Sequence, residues 1–474
     1  MSLPKIHKFE LDGDCFIIDP ASGAVHIADQ TAFNELDSFS PYTKPVNSAQ
    51  RELLALYEQG LLFSAEDCRE YAQTHVDAPL KAFCLHVSHD CNLRCGYCFA
   101  KELLPNEAIH LPQREHDTAA KELLPNETIR EHTYMTPEVG IAALEMLVAN
   151  SGEREFLEAD FFGGEPTLPG AWETVVAVVK YARANEARWG KKFDFTVTTN
   201  GLLLDDSKID FINAEMSNCV LSLDGRKAVN DRMRPTLGDT GTFDTVVPKF
   251  TELLKSRIKE GRTDCFVRGT FTAHNLDFAE DVLELARLGF KNISLEPVSS
   301  CPTECDSHTP DRDENLHSAQ PDYAIRPEHV PQVCAEYERL FRLMKSRELD
   351  VNFFHFNIDL TGGPCVIRRL RGCGAGNEYL AVAPDGAMFP CHRFVGDERW
   401  RITAQVKDYF SKTHIYSKSD CPDCWARFYC SGGCNAASYE CFGDCRKTDS
   451  NSVDCLLMKK RLECAIALSA LRSV

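Results

Sequence analysis

The chain has 474 residues, 43% of them hydrophobic, and its 71 acidic side chains against 52 basic ones give a formal charge of -19. That length allows two to four domains with large cores, and the negative balance repels polyanions, which argues against nucleic acid as a partner. No apolar run approaches the roughly 18 residues of a spanning helix, and the start Met1-Ser2-Leu3-Pro4-Lys5 lacks the apolar core of a signal peptide, so a cytoplasmic protein without a membrane partner is expected.

Residues 1–80 read as a small recognition module and its linker. Strands are expected over 8–18 and 24–27, helices over 31–39 and 48–59, and a returning strand over 61–63. Leu53, Leu54 and Tyr57 share one face of the second helix, and Gly60 lies where a helix stop belongs. Strands, helices and a wing in this order suggest a winged-helix-like unit. Such units often bind DNA, but Asp12, Asp14, Asp19, Asp29, Glu35 and Asp37 make this one acidic. A peptide laid along a strand edge is the better expectation.

Residues 81–348 repeat a strand and a helix. Strands are expected over 83–88, 157–162, 193–199, 219–224, 265–272 and 292–298. The helices between and after them fall over 137–150, 172–189, 206–215, 243–258, 278–288 and 327–344. Six such units predict an α/β fold with a parallel sheet that curls into a partial (β/α)6 TIM-like barrel, with its chemistry at the C-terminal strand ends. Directly after the first strand stands Cys91-Asn92-Leu93-Arg94-Cys95-Gly96-Tyr97-Cys98. Close behind it, the eight residues 100–107 recur as 120–127, which reads as a duplication inside a surface insertion.

Residues 349–474 change character. Short, Gly-rich, cysteine-dense segments carry Cys365, Cys373, Cys391, Cys421, Cys424, Cys430, Cys434, Cys441, Cys445, Cys455 and Cys464, and a long helix is expected only over 454–471. Twenty-two cysteines in a large chain without a secretion signal serve metals or redox chemistry more readily than disulfides, and metal clusters would hold such a segment together.

The loop Cys91-x3-Cys95-x2-Cys98 lacks the fourth local ligand a tetrahedral zinc site wants. A cubane held by three thiolates keeps one iron open for a substrate. Further strand ends carry Gly163-Gly164-Glu165-Pro166, Thr198-Thr199-Asn200-Gly201 and Ser222-Leu223-Asp224-Gly225. With Tyr97 beside the cysteines, this set resembles the radical S-adenosylmethionine (SAM) superfamily. The resemblance implies a 4Fe-4S cluster on Cys91, Cys95 and Cys98, and SAM contacts from Tyr97, Gly163, Gly164, Glu165, Pro166 and Asn200. It also implies Ser222 and Asp224 as partners for the ribose or carboxylate, with Arg268 pairing the carboxylate.

The later cysteines resemble the SPASM extension of that superfamily, in which two auxiliary 4Fe-4S clusters have interleaved ligands. This implies Cys373, Cys391 and Cys434, with Cys365 as a possible fourth, on the first. Cys421, Cys424, Cys430 and Cys455 would hold the second, making three clusters in all. A zinc site closed by Cys421, Cys424, Cys430 and Cys434 is the chemical alternative. Segments such as Ser222-Leu-Asp-Gly-Arg226, Asn230-Asp-Arg-Met-Arg-Pro235, Phe353-Phe-His-Phe356, Arg371-Gly-Cys-Gly374 and Cys430-Ser-Gly-Gly-Cys434 resemble the maturases of six-cysteine peptides and related ranthipeptides. That implies thioether crosslinking of a cysteine-containing precursor peptide bound through its leader, with electrons from a low-potential donor. Epimerisation, carbon-carbon crosslinking, formylglycine formation, or a noncatalytic zinc or iron-sulfur scaffold are the alternatives.

Overall fold

The computed structural model describes residues 4–65, 68–74, 78–100, 133–299, 322–360 and 369–473. The duplicated octapeptide, apart from Ala100, lies outside them, as do Cys301, Cys305 and Cys365.

The chain opens with an antiparallel sheet in the order β1 (His7–Leu11), β2 (Asp14–Ile18), β3 (Val25–Ala28). The single strand expected over 8–18 is a hairpin. Asp12 and Gly13 stand at φ +53° and +83°, and Asp-Gly is the pair that a two-residue turn with two positive φ angles favours. β2 alternates its faces as the pleat requires. Cys15 and Ile17 pack with Phe33, Leu36 and Leu53 from the helices Gln30–Glu35 and Ser48–Glu58, whereas Phe16 and Ile18 join the main core. The returning strand expected over 61–63 does not form. Leu62 fills the small core instead, and the Leu61 carbonyl meets His26 Nε2 at 3.0 Å.

The acidic run is used locally. Asp12 and Asp14 pair with Lys345 at 2.8 and 2.9 Å, and Asp37 with Lys8 at 2.7 Å. Asp29 caps the helix Gln30–Glu35, Asp19 accepts from the amides of Ala21 and Ser64, and Glu35 accepts from Asn47 and Gln50. The small sheet is also tied to the chain's far end: the His7 ring stacks on Trp425 at 4.0 Å and meets Glu463 at 2.9 Å.

Nine strands form the main sheet. β4 (Ala82–Ser88), β5 (Phe156–Gly163), β6 (Lys192–Thr199), β7 (Asn218–Ser222), β8 (Cys265–Phe271) and β9 (Asn292–Pro297) run parallel in chain order. β10 (Asn352–Phe353) extends the β9 edge. β11 (Tyr379–Val382) lies parallel to β4 on the other side and carries β12 (Met388–Phe389). The sheet is open, so the barrel is partial, and the cysteine-dense segment lengthens it through β11.

One face of the sheet is apolar and lies under the crossover helices: Leu157, Ala159 and Phe161 on β5, Phe193, Phe195 and Val197 on β6, Val267 and Phe271 on β8 are all buried in one core. The alternate positions are largely polar. His86, Asp160, Thr196, Ser222, Arg268, Thr270 and Glu296 share the other face, where Ser222 stands beside Arg268 and Thr270 beside Glu296 in register. The sheet thus presents a lumen lined with hydrogen-bonding groups.

The crossover helices Pro137–Asn150 and Asp206–Glu215 match their expected bounds, because both carry plain start signals: Thr136 caps Val139 and Asp205 caps Lys208. A helix Lys227–Met233, which periodicity over so short a span did not reveal, follows β7. The last helix, Val453–Arg472, packs along Val330–Lys345 and reaches β1 and β3.

Candidate functional site

The three thiols of Cys91, Cys95 and Cys98 follow β4 and face one another within electrostatic reach. The loop that carries them is held from both sides. From one side, Gly96 and Arg94 amides donate to the carbonyls of Met233 and Pro235, and Leu93 bridges to Thr236. From the other, the Gly164 amide donates to Ser88 O at 2.7 Å and the Glu165 amide to Asp90 O at 2.9 Å. The approach is close enough that a Cβ on Gly164 would stand 1.9 Å from Asp90 O, so only glycine fits.

Glu165 is 1% exposed, yet its carboxylate is satisfied. Oε1 accepts from the Thr167 amide and hydroxyl and from Thr199 Oγ1 at 2.7 Å, and Oε2 accepts from the Asn200 amide at 2.8 Å. Burial pushes its pKa up while these four bonds oppose the shift. Glu165 therefore ties the end of β5 to the end of β6 and fixes Asn200, whose Nδ2 reaches Asn92 Oδ1 at 2.8 Å and Cys91 Sγ at 3.8 Å.

Asp224 is fully buried. It accepts from Tyr97 Oη at 2.5 Å and the Thr270 amide at 2.9 Å, and it pairs with the Arg234 guanidinium at 3.0 Å. Arg234 also lies over the Tyr97 ring. The side chain of Asn230 turns back to the Asp224 amide and to Thr242. The segment Asn230 to Pro235 is thus the clamp on the far side of the cysteine loop. Ser222 and Arg268 occupy neighbouring register positions on β7 and β8, with Arg268 exposed. Pro166 is buried behind Glu165.

The remaining cysteines fall into two groups. Cys421, Cys424, Cys430 and Cys455 lie within electrostatic reach of one another, and Cys434 is grouped instead with Cys373 and Cys391. A cavity of about 200 Å³ is bordered by Cys421, Cys424, Cys430, Cys434 and Cys455, with Glu296 and Arg461 on its rim. Among the described residues no three His, Cys, Asp or Glu side chains draw together tightly enough to hold a single metal ion.

As bare thiols these groups are poorly ionised: burial pushes Cys95 up to about 11, Cys421 to about 11 and Cys430 to about 12. A metal cluster displaces those protons, and donors already point at two of the sulfurs. Leu93 N lies 3.4 Å from Cys91 Sγ, and Arg393 Nη1 lies 3.6 Å from Cys434 Sγ. The donor sets fit sulfur-ligated iron.

Several residues near these groups gave no sequence signal. Glu296 pairs with Arg461 at 2.9 Å and with His355 at 3.5 Å, joining β9 to the last helix beside the cavity. Arg393 bridges Ser299 and Glu440 in addition to Cys434. His86 and His89 are buried with no hydrogen-bond partner at either ring nitrogen among the described residues, and burial lowers the pKa of both. Only side-chain placement reveals these pairings, since the partners lie tens to hundreds of residues apart.

No family model matches the chain. It is 21% identical to the radical SAM cyclopropyl synthase TigE of Paramaledivibacter caminithermalis, over 90% of this chain and 86% of that protein. It is 24% identical to a cysteine-type anaerobic sulfatase-maturating enzyme of Clostridium perfringens, over 75% of this chain and 89% of that one. Among solved structures it resembles native anSMEcpe with bound AdoMet and Cp18Cys peptide, with a TM-score of 0.58 at 18% identity over 83% of this chain and 99% of that chain. The cysteine loop, the strand-end motifs hydrogen-bonded around it and these likenesses together are consistent with a radical SAM enzyme of the SPASM-type peptide maturases.

Proposed function

We propose that the chain matures a cysteine-bearing peptide by radical chemistry and that its product is a Cys-derived thioether crosslink. The observation that carries the reading is the loop Cys91 to Cys98 at the end of β4, gripped by motifs from the ends of β5, β6 and β7. In this reading Cys91, Cys95 and Cys98 hold a 4Fe-4S cluster with one open iron, and SAM binds there. Held there and reduced by a low-potential donor, the cluster and SAM would supply the hydrogen-atom abstraction that activates the peptide.

The protein's part is position. Gly163 to Pro166 and Asn200 would flank the bound SAM beside the cysteine loop, while Ser222 and Arg268 offer a hydroxyl and a guanidinium from the lumen face. Tyr97, braced by Asp224, keeps the loop from shifting during turnover. Cys373, Cys391 and Cys434 hold one auxiliary cluster, with Cys365 the candidate fourth ligand, and Cys421, Cys424, Cys430 and Cys455 hold another. The precursor's leader lies along β3, an edge of the N-terminal sheet among the described residues. The likenesses to a cyclopropyl synthase over 90% of this chain and to a sulfatase-maturating enzyme over 75% support radical modification of a peptide, while the thioether rests on the motifs that resemble the ranthipeptide maturases.

A second reading, oxidation of a cysteine to formylglycine, is favoured by the likeness to sulfatase-maturating enzymes. Mass spectrometry of a cysteine-bearing peptide after turnover separates the two. The thioether reading expects a loss of two hydrogens per link, sulfur retained and one alkylatable thiol gone. Loss of sulfur with a new carbonyl decides for formylglycine, and a peptide of unchanged mass overturns both.

Gly164→Ala tests the site itself. The added Cβ collides with Asp90 O, so the cysteine loop moves off its support. We expect SAM cleavage to fall more than about a hundredfold, as misplacement by about 1 Å can cost. Anaerobic assay of 5′-deoxyadenosine reads this directly, and a variant that cleaves SAM at the normal rate removes the motif from the site.

A further inference from the structure

Lys418 is 3% exposed, and its ammonium has no hydrogen-bond partner among the described residues. Burial disfavours its charged form and pushes its pKa down, so an ammonium here needs compensating negative charge. Four thiols lie within its electrostatic reach: Cys421 most strongly, then Cys445, Cys434 and Cys430. Two of these belong to the cysteine group that includes Cys455, and Cys434 belongs to the group with Cys373 and Cys391. The amine therefore stands between the two groups.

The local backbone is shaped around this side chain. Ser431, Gly432 and Gly433 all have positive φ, at +58°, +84° and +70°, and Gly432 turns its missing side chain toward the lysine stem. A Cβ there would stand 3.0 Å from Lys418 Cδ and 3.2 Å from Cε. The Cys430-Ser-Gly-Gly-Cys434 segment thus separates the ligands of two groups and makes the slot through which Lys418 reaches between them. The neighbouring buried guanidiniums do have partners: Arg427 donates to Cys424 O, Arg461 pairs with Glu296 and Arg393 with Glu440.

We propose that Lys418 is a positioning residue for electrons, its ammonium lying between the two auxiliary clusters and donating to their sulfurs so that both take up an electron more easily. The inference rests on the reading of the two groups as cluster ligands. Reduction adds a negative charge to a cluster, and a fixed cation in a medium of low dielectric stabilises the reduced form. The effect is larger on the cluster held by Cys421, Cys424, Cys430 and Cys455, two of whose ligands face the amine. A slot of this kind also explains why a costly buried charge sits here and not an apolar residue.

The test is anaerobic redox titration of the reconstituted full chain, followed by electron paramagnetic resonance, together with iron and sulfide analysis. Lys418→Met keeps the stem's length and removes the charge. We expect it to retain about twelve irons per chain while the auxiliary signals move to lower potential. The expected shift is at least tenfold in the reduction equilibrium, about 59 mV for a one-electron couple. Lys418→Arg, which keeps the charge, is expected to stay near the wild-type potential, and the signal of the Cys91, Cys95 and Cys98 cluster is expected to stay put in both. If the Met variant loses iron, Lys418→Gln takes its place, with a polar head but no charge. Full iron content with unmoved potentials overturns the role of Lys418 and leaves the clusters standing. A wild-type chain with only about four irons overturns the role together with the cluster assignment, and the iron count tells the two failures apart.

Discussion

Replacing Cys91, Cys95 and Cys98 together by alanine is expected to abolish cleavage of SAM and to remove about four of about twelve irons per chain, with the auxiliary signals retained. The expectation follows from where the loop is anchored. Its supports are the Gly164 and Glu165 amides on one side and Met233 to Thr236 on the other, backbone contacts that do not pass through the three thiols. The loop's backbone contacts survive the substitution, so the fold is retained and the loss is confined to one cluster. Product formation should fall by at least about a thousandfold, since no side chain replaces a metal-borne electron. Anaerobic iron and sulfide analysis, paired with a 5′-deoxyadenosine assay, reads both arms. Retained cleavage, or loss of all the iron at once, would sink the assignment of an independent cluster to this loop.

The sequence showed the barrel well because its signals are local. Parallel strands alternating with capped helices leave period and punctuation in the chain, and Pro137–Asn150 and Asp206–Glu215 could be read to the residue. The hairpin turn at Asp12-Gly13 was equally local, but a run of apolar and acidic residues on both sides concealed it inside one apparent strand. β11 was invisible for a different reason: four residues, Tyr379–Val382, form a strand only because β4 offers an edge almost 300 residues upstream. The cysteine positions were legible as motifs. What surrounds them was not, because the partners of Glu165, Asp224 and Arg461, and the slot that holds Lys418, are set by side chains meeting across the sheet and across the two later cysteine groups. The acidic N-terminal run shows the converse. Read as a field it looked like a binding surface property, whereas each of its six named carboxylates serves a cap, a turn, a side-chain hydrogen bond or an ion pair.

Asp224→Ala distinguishes a brace from a cosubstrate ligand. The family likeness expects this carboxylate near the ribose or the SAM carboxylate, but in the structure Tyr97, Arg234 and the Thr270 amide already engage it. Removing it leaves the Arg234 guanidinium buried and unpaired, which typically costs about 3–5 kcal/mol. Tyr97 loses its acceptor at the same time, so the cysteine loop loosens. The double change Asp224→Leu with Arg234→Met removes both charges and should recover most of that stability, since an apolar pair can replace a buried ion pair at little cost. Urea unfolding under anaerobic conditions measures both variants, and the apparent affinity for SAM completes the experiment. A brace predicts a large loss in the single variant, recovery in the double, and SAM affinity restored with the fold. A ligand predicts near-normal stability in the single variant and weakened SAM binding in both. The burial of Asp224 and its three engaged partners place the larger effect on stability. The carboxylate then acts on the chemistry through Tyr97 and the loop it holds.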